Sequence, residues 1–132
     1  TAAGKRKELL VYGNTYNTHD GSCIRDYIDI MDLAHSHVCS VNRMIDSEDL
    51  MNNLEVFNIG TGKGVSVFEL ISSFERATGN ELNYKIVDPR EGDVEKIFAD
   101  PTKANSVLGW HAMNSLDDSV RNSWNWQQRL NE

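Results

Sequence analysis

Ser66 and Glu69 stand three residues apart at the head of a run in which Val67, Leu70, Ile71 and Phe74 recur at helical spacing, and Gly79 follows where the run ends. A hydroxyl that accepts from the third helical amide, with a carboxylate that reaches back to the cap amide, is a capping box, and glycine is the usual stop. Start, buried stripe and end of one helix are therefore all written into the chain, and the fold has to present an apolar surface to that stripe. Before the helix, Glu55-Val56-Phe57-Asn58-Ile59 is a compact apolar run with strand character that ends at Gly60. After it, Leu82 to Val87 alternates with a strand period up to Asp88-Pro89. Strand, helix, strand predicts the α/β class.

The flanks add elements of the same kinds. Glu8 to Tyr12 is a short β-favouring run, and Gly13 to Gly21 has the glycine, asparagine and aspartate content of a loop or wide hairpin. Ile24 to Ile30 is β-branched and aromatic, hence extended. Beyond it Ala34, His37, Val38, Val41 and Ile45 share one face at helical spacing, which predicts a helix from about Asp32 to Ile45, followed by a polar loop over Asp46 to Asn53. Asp100-Pro101 places a cap and a first-turn proline ahead of a short helix that Gly109 stops, with Trp110 packing back onto it. Ser115 and Asp118 repeat the spacing of the first cap, so a terminal helix is expected, with Leu116, Val120, Trp124, Gln127 and Leu130 along one stripe and Trp124 buried.

At 132 residues the chain fits one domain or part of a larger one, and no linker, repeat or low-complexity segment divides it. No apolar run approaches the roughly 20 residues of a membrane span, so no membrane association is expected. With 13 Lys+Arg against 20 Asp+Glu, the charge of -7 offers nucleic acid no general positive field. Any bound phosphate has to be held by a few placed arginines. Cys23 and Cys39 fit neither a disulfide framework nor paired metal-ligand spacing, which points to a reducing, cytoplasmic setting. The first residues lack both an initiator Met and the apolar core of a signal peptide, as expected of a stretch taken from within a longer chain.

Candidate chemistry concentrates at element ends. Gly60-Thr61-Gly62-Lys63-Gly64 lies between a predicted strand and helix, with Asp88 closing the next strand. Two readings are open: half of a dinucleotide fingerprint, or a tight turn that needs positive φ, and the G-x-G-x-G spacing favours the turn. Arg25-Asp26-Tyr27 and Arg90-Glu91-Gly92-Asp93 are the other clusters. Guanidinium forks take phosphate oxygens bidentately and a nearby Asp accepts from ribose hydroxyls, so together they can form a nucleotide site, although surface ion pairs serve the composition equally. His35 and His37, two apart on a helix, point to different faces and make poor joint metal ligands. Asp29 and Asp32 read as helix-start charges, and no nucleophile with an evident base emerges.

In order and spacing these motifs resemble a known family. Val11-Tyr12-Gly13-Asn14, Asp20-Gly21-Ser22, Arg25-Asp26-Tyr27-Ile28 and Asp32-Leu33-Ala34 look like the C-terminal half of the UDP-glucose 4-epimerases, in the extended short-chain dehydrogenase/reductase superfamily. Phe57 to Gly64 with Ser66-Val67, Arg90-Glu91-Gly92-Asp93, Ala99 to Ala104, Leu108-Gly109-Trp110 and Trp124 to Gln127 continue the likeness through the chain. The resemblance implies that residues 1–132 form the UDP-sugar-binding, C-terminal portion of an NAD-binding Rossmann-like enzyme whose Rossmann half, with its G-x-x-G-x-x-G and Tyr-x-x-x-Lys motifs, lies upstream. The implied activity is isomerisation: UDP-galactose and UDP-glucose interconvert as bound NAD oxidises C4 of the sugar and returns the hydride to the other face, with the upstream tyrosine as base. This stretch alone is expected to be inactive.

By position, the resemblance implies Tyr12 beside the uracil, Arg25 and Arg90 on the diphosphate, Asp93 on the ribose, and Tyr27 in the same pocket wall. Ile97 matches the position that controls room for an N-acetyl group, where Tyr restricts and Cys permits, and Ile is intermediate. Gly60 to Gly64 becomes the turn between the Rossmann sheet and the smaller domain, not the NAD site. A dehydratase or decarboxylase of the same superfamily would share these motifs, and a free-standing nucleotide-binding module is the non-catalytic alternative. A homodimeric parent is implied. The isolated chain is expected to self-associate, because the edge of Val56 to Ile59 and the face of the helix after Asp32 would lack their neighbours.

Overall fold

The computed structural model describes residues 1–46 and 54–130. β1 (Leu9–Tyr12) and β4 (Tyr84–Val87) pair in parallel, with Leu9 opposite Tyr84 and Tyr12 opposite Val87. Parallel neighbours need a crossover, and here the chain between them carries four further elements before β4. β2 (Ile24–Arg25) pairs antiparallel with β3 (Val65–Ser66), and Ile24 also bridges Lys96 in parallel. The class is α/β, as the sequence predicts, built here on two small two-stranded sheets.

α2 (Val67–Thr78) has the predicted ends. Ser66 accepts from the Glu69 amide while the Glu69 carboxylate accepts from the Ser66 amide, and Gly79 closes the helix at φ 71°. α3 (Leu116–Arg129) repeats the box with Ser115 and Asp118. The two helices pack on each other through buried Ile71 and Val120 and through Phe74 and Trp124, whose rings meet edge to face with centroids 5.9 Å apart. Trp124 is only half-buried, a correction to its predicted burial: it sits at the margin of the α2–α3 contact, and Leu130 beyond it is exposed. The predicted short helix after Asp100-Pro101 is wound as a π-helical turn (Ala104–Leu108) that ends at Gly109 with φ 63°.

α1 (Ile30–Asp46) begins two residues before the predicted start, because Asp29 Oδ1 accepts from the Met31 amide and caps it. Its orientation is the larger surprise. The buried side is Asp32 and Ser36, while Val38, Val41 and Ile45 of the predicted stripe face outward. Trp110, fully buried, donates from Nε1 to the Asp32 carbonyl at 2.9 Å, so its hydrogen bond anchors α1. The predicted strand Val56 to Ile59 is also corrected: the segment has no ladder, since a strand exists only where a neighbour completes its hydrogen bonds. Arg43 holds it by a fork on Glu55, and Lys103 donates to the Val56 carbonyl. Most of the predicted loop at 46–53 lies outside the described residues, and Asp46 is the last residue of α1.

Candidate functional site

Tyr12 ends β1 opposite Val87, and the chain leaving β4 passes directly through Asp88-Pro89 to Arg90. The Arg90 guanidinium consequently lies over the Tyr12 ring, with Cζ 4.4 Å from the centroid, a cation–π contact. Arg90 Nε donates to Asp93 Oδ2 at 3.2 Å, and Arg25 of β2 brings Nη2 to 3.7 Å from Asp93 Oδ1. What sets Arg25 there is the backbone: the Ile24 amide donates to the Glu95 carbonyl and the Ile97 amide to the Ile24 carbonyl, so β2 runs in register with residues 95–97. Tyr12, Arg25, Arg90 and Asp93, distant in sequence, thus converge.

The Asp93 side chain is 17% exposed and that of Arg90 60%. Such partly exposed pairs add little to stability. Their chemical value lies in two guanidinium forks held at one place, ready for an anion with several oxygens. Ile97 follows on the same segment, 58% exposed, and lines an open cleft of about 570 Å³ with Arg25, Phe57, Asn58 and Phe98. Tyr27 departs from the expected common wall. Its side chain lines a separate, mainly apolar cavity of about 620 Å³ with Leu70, Phe74 and Val120, between α2 and α3, because β2 ends at Arg25 and strand alternation does not carry beyond it. Burial there pushes the Tyr27 phenol up, against a lowering by Arg25.

Asp26 has a different task. Its Oδ1 accepts from the Thr61 amide at 2.9 Å and the Thr61 hydroxyl at 2.6 Å, and its Oδ2 from the amides of Gly62 and Ala99. Burial opposes ionisation, but these four hydrogen bonds outweigh it and hold the carboxyl below its usual range. The glycine run is therefore a turn folded round a carboxylate, with Gly62 at φ 71°. A Cβ on Gly60 would collide with Asp26 Oδ2, so glycine is required where carboxylate and turn meet. Amides engaged in this way are not offered to a pyrophosphate, and the run does not fit a dinucleotide.

Two groups escape pattern reading. Asp32, buried, accepts from the amides of Met113 and Asn114 and from the Asn114 side chain, and so shapes the loop leading to α3 rather than simply charging a helix start. Tyr16 lies inside the predicted loop with its hydroxyl buried and without a hydrogen-bond partner among the described residues. A lone tyrosine in a glycine-, asparagine- and aspartate-rich loop was the available signal. Asp29 fulfils its expected helix-start role, and His35 and His37 are exposed, the latter bonded to the Leu33 carbonyl. Asp88 is exposed at the end of β4.

Residues 1–123 match a protein family described as GDP-mannose 4,6 dehydratase. The chain is 42% identical over 126 residues to UDP-glucose 4-epimerase of Bacillus subtilis (strain 168), covering 96% of this chain and 36% of that protein. It is 43% identical over 127 residues to the UDP-glucose 4-epimerase of Yersinia enterocolitica, again covering 96% of this chain and 36% of the other. Among solved structures, UDP-glucose 4-epimerase from Stenotrophomonas maltophila, with bound NAD and formylated UDP-arabinopyranose, matches with a TM-score of 0.91 at 41% identity, over 98% of this chain and 38% of that one. The enzyme from Bifidobacterium longum, in complex with NAD+ and UDP, matches with a TM-score of 0.86 at 43% identity, over 97% and 37%. The chain thus spans about 36% of the length of the curated relatives it matches. Matched from residue 1 to residue 123, and sharing its α/β fold with solved epimerases over nearly its whole length, the chain belongs to the GDP-mannose 4,6 dehydratase family within the extended short-chain dehydrogenase/reductases.

Proposed function

We propose that this chain is the UDP-holding, C-terminal portion of a UDP-glucose 4-epimerase, an NAD-dependent isomerase that interconverts UDP-galactose and UDP-glucose. The observation that carries the reading is the convergence of Arg25 and Arg90 on Asp93 beside the Tyr12 ring. A nucleoside diphosphate needs two forks for its phosphates, an acceptor for its ribose hydroxyls and an aromatic neighbour for its base, and these four side chains supply them. A diphosphate competes for the guanidiniums that Asp93 now holds, which releases the carboxylate for the ribose. Ile97 completes the set on the wall of the adjoining cleft, where its size sets how much room an N-acetyl substituent would have, while Tyr27 lies off the cluster in the cavity between α2 and α3. Binding UDP equally in all states does not accelerate chemistry, but it anchors the sugar while the reacting face changes.

Since the glycine turn is closed around Asp26, NAD is assigned to the part of the relatives that this chain does not span, together with the catalytic groups. The 132-residue chain alone is inactive on this reading, and turnover of UDP-galactose by the chain supplied with NAD would overturn it. No helix among the described residues is long and apolar enough to cross a membrane. A cytoplasmic location and a homodimeric parent accompany the proposal, as does the absence of nucleic acid among its partners. Self-association of the isolated chain follows from the outward apolar face of α1.

Titration calorimetry with UDP tests the assignment of the site. The chain should bind UDP, and Arg25→Met and Arg90→Met should each weaken binding on the order of tenfold or more, as expected for charge-assisted hydrogen bonds. Lys63→Met, in the glycine turn, should leave it unchanged. A second reading, a nucleotide-sugar dehydratase, is favoured by the description of the matching family. Tighter binding of GDP or TDP than of UDP would replace the first reading with this one.

A further inference from the structure

Tyr16 is fixed at both ends of its backbone. Its amide donates to the Gly21 carbonyl at 2.9 Å and its carbonyl accepts from the Thr18 amide at 2.8 Å. Its ring is wedged against Gly13, where an added Cβ would stand 2.6 Å from Tyr16 Cε2 and 3.1 Å from Pro89 Cγ. The ring therefore lies between the turn that follows Tyr12 and the segment that delivers Arg90. Its hydroxyl is buried and has no nitrogen or oxygen partner among the described residues, with the Cys23 thiol, a weak hydrogen-bonding group, beside it. Burial raises the phenol, the Cys23 thiol and the Asp93 charge add to that rise, and Arg90 opposes it, so at neutral pH the group is a donor. An unpaired buried hydroxyl costs stability, and nothing in the packing of the ring requires it.

Asp93 has the complementary need. The basic partners of its enclosed carboxylate are Arg25 and Arg90, the two groups that a diphosphate would draw away. A carboxylate that loses its donors in such a place pays the desolvation of its charge unless another donor replaces them.

We propose that Tyr16 is a positioning residue for Asp93: its hydroxyl donates to the carboxylate when a nucleoside diphosphate takes Arg25 and Arg90, and holds the other carboxylate oxygen toward the ribose. The proposal rests on the UDP-site reading above. In it, the unpaired hydroxyl is kept for the bound site at the expense of the unbound one.

Tyr16→Phe keeps the ring and removes the donor, which allows two measurements with opposite signs. In the unaltered background the melting temperature should stay the same or rise, while UDP affinity by calorimetry falls on the order of tenfold, as expected for a hydrogen bond to a charged group. Arg25→Met/Arg90→Met withdraws the guanidiniums without any ligand. In that background Tyr16→Phe should lower the melting temperature, on the order of 4 °C. The single arginine variants carry the same comparison where the double variant does not fold. Equal melting shifts in both backgrounds, or unchanged UDP affinity in Tyr16→Phe, would mean a purely structural tyrosine and overturn the proposal. If the unaltered chain takes up no UDP, the functional reading fails, and the ligand-free cycle still decides the role of Tyr16.

Discussion

α1 and α2 are about equally amphipathic, yet they use their apolar faces in opposite ways. α2 turns Ile71 inward, 4% exposed, against α3, whereas α1 turns Val41 and Ile45 outward, 53% and 75% exposed, and buries Asp32 and Ser36 instead. The α2–α3 pair is complete within the chain: apolar contacts, two capping boxes, and a fork from Arg76 to Asp117 that Ser73 supplements. α1 is held by Trp110 and by hydrogen bonds of its polar side. Amphipathicity is a property of the sequence, but which face is buried depends on what the rest of the chain supplies.

The largest effect that could break this contrast comes from truncating one residue of each stripe. Ile71→Ala should cost about 2–5 kcal/mol by chemical denaturation, since it removes buried methyls and leaves a cavity. Val41→Ala should stay within about 0.5 kcal/mol, as surface changes do, and Val41→Glu should raise the monomer fraction in sedimentation at high concentration. A cost for Val41→Ala approaching that of Ile71→Ala would mean that α1 buries its apolar face in solution, and the two regions would not differ as described.

A smaller effect should appear with pH, with its largest single source in the α2–α3 region. The Arg76 fork and then the Ser73 hydroxyl lower the Asp117 carboxyl to about 2 from an ordinary 3.8. A group depressed in the folded state stabilises it above its unfolded value, and that stabilisation disappears as pH falls through the folded value. The urea midpoint should therefore decline between about pH 4 and pH 2, with Asp20 and Asp26, lowered by their hydrogen bonds despite burial, declining in the same sense. Asp117→Asn should start lower at pH 6 and converge on the unaltered chain at pH 2. Parallel curves over that range would show the fork to be without energetic consequence.

What could be seen in the sequence divides along the same line. Ser66, Gly79, Ser115 and Gly109 act through bonds to near neighbours, so α2, α3 and the stop of the π-helical turn were legible, as were β1 and β4. The inward face of α1, the strand at Val56 to Ile59 and the burial of Trp124 were not, because each depends on what lies opposite. Arg25, Arg90 and Asp93 could be named from charge and spacing and Tyr12 from the family resemblance, and their proximity follows from the β1–β4 pairing and the register of β2 with residues 95–97. Tyr27 lines the cavity between α2 and α3 instead of the cleft beside Ile97, and Tyr16 was hidden because loop chemistry explained its neighbours without it.

The smallest expected effect asks whether that local legibility is the same in both regions. Gly79 ends α2 at φ 71° and Gly109 ends the π-helical turn beside α1 at φ 63°, and in both an added Cβ would meet no atom within 4 Å. Alanine at either position thus has no packing consequence and carries only the left-handed backbone penalty, about 1 kcal/mol. If stops are local, Gly79→Ala and Gly109→Ala should cost the same within about 0.5 kcal/mol by denaturant melts, and asparagine, which tolerates this conformation, should recover part of the loss at both. Gly109 immediately precedes Trp110, whose buried indole anchors α1. A distinctly larger cost at Gly109 would mean that a shifted stop displaces the indole, so that α1 depends on a single turn of backbone where α2 depends on a whole interface. The contrast between the helices would then extend from how they pack to how they end.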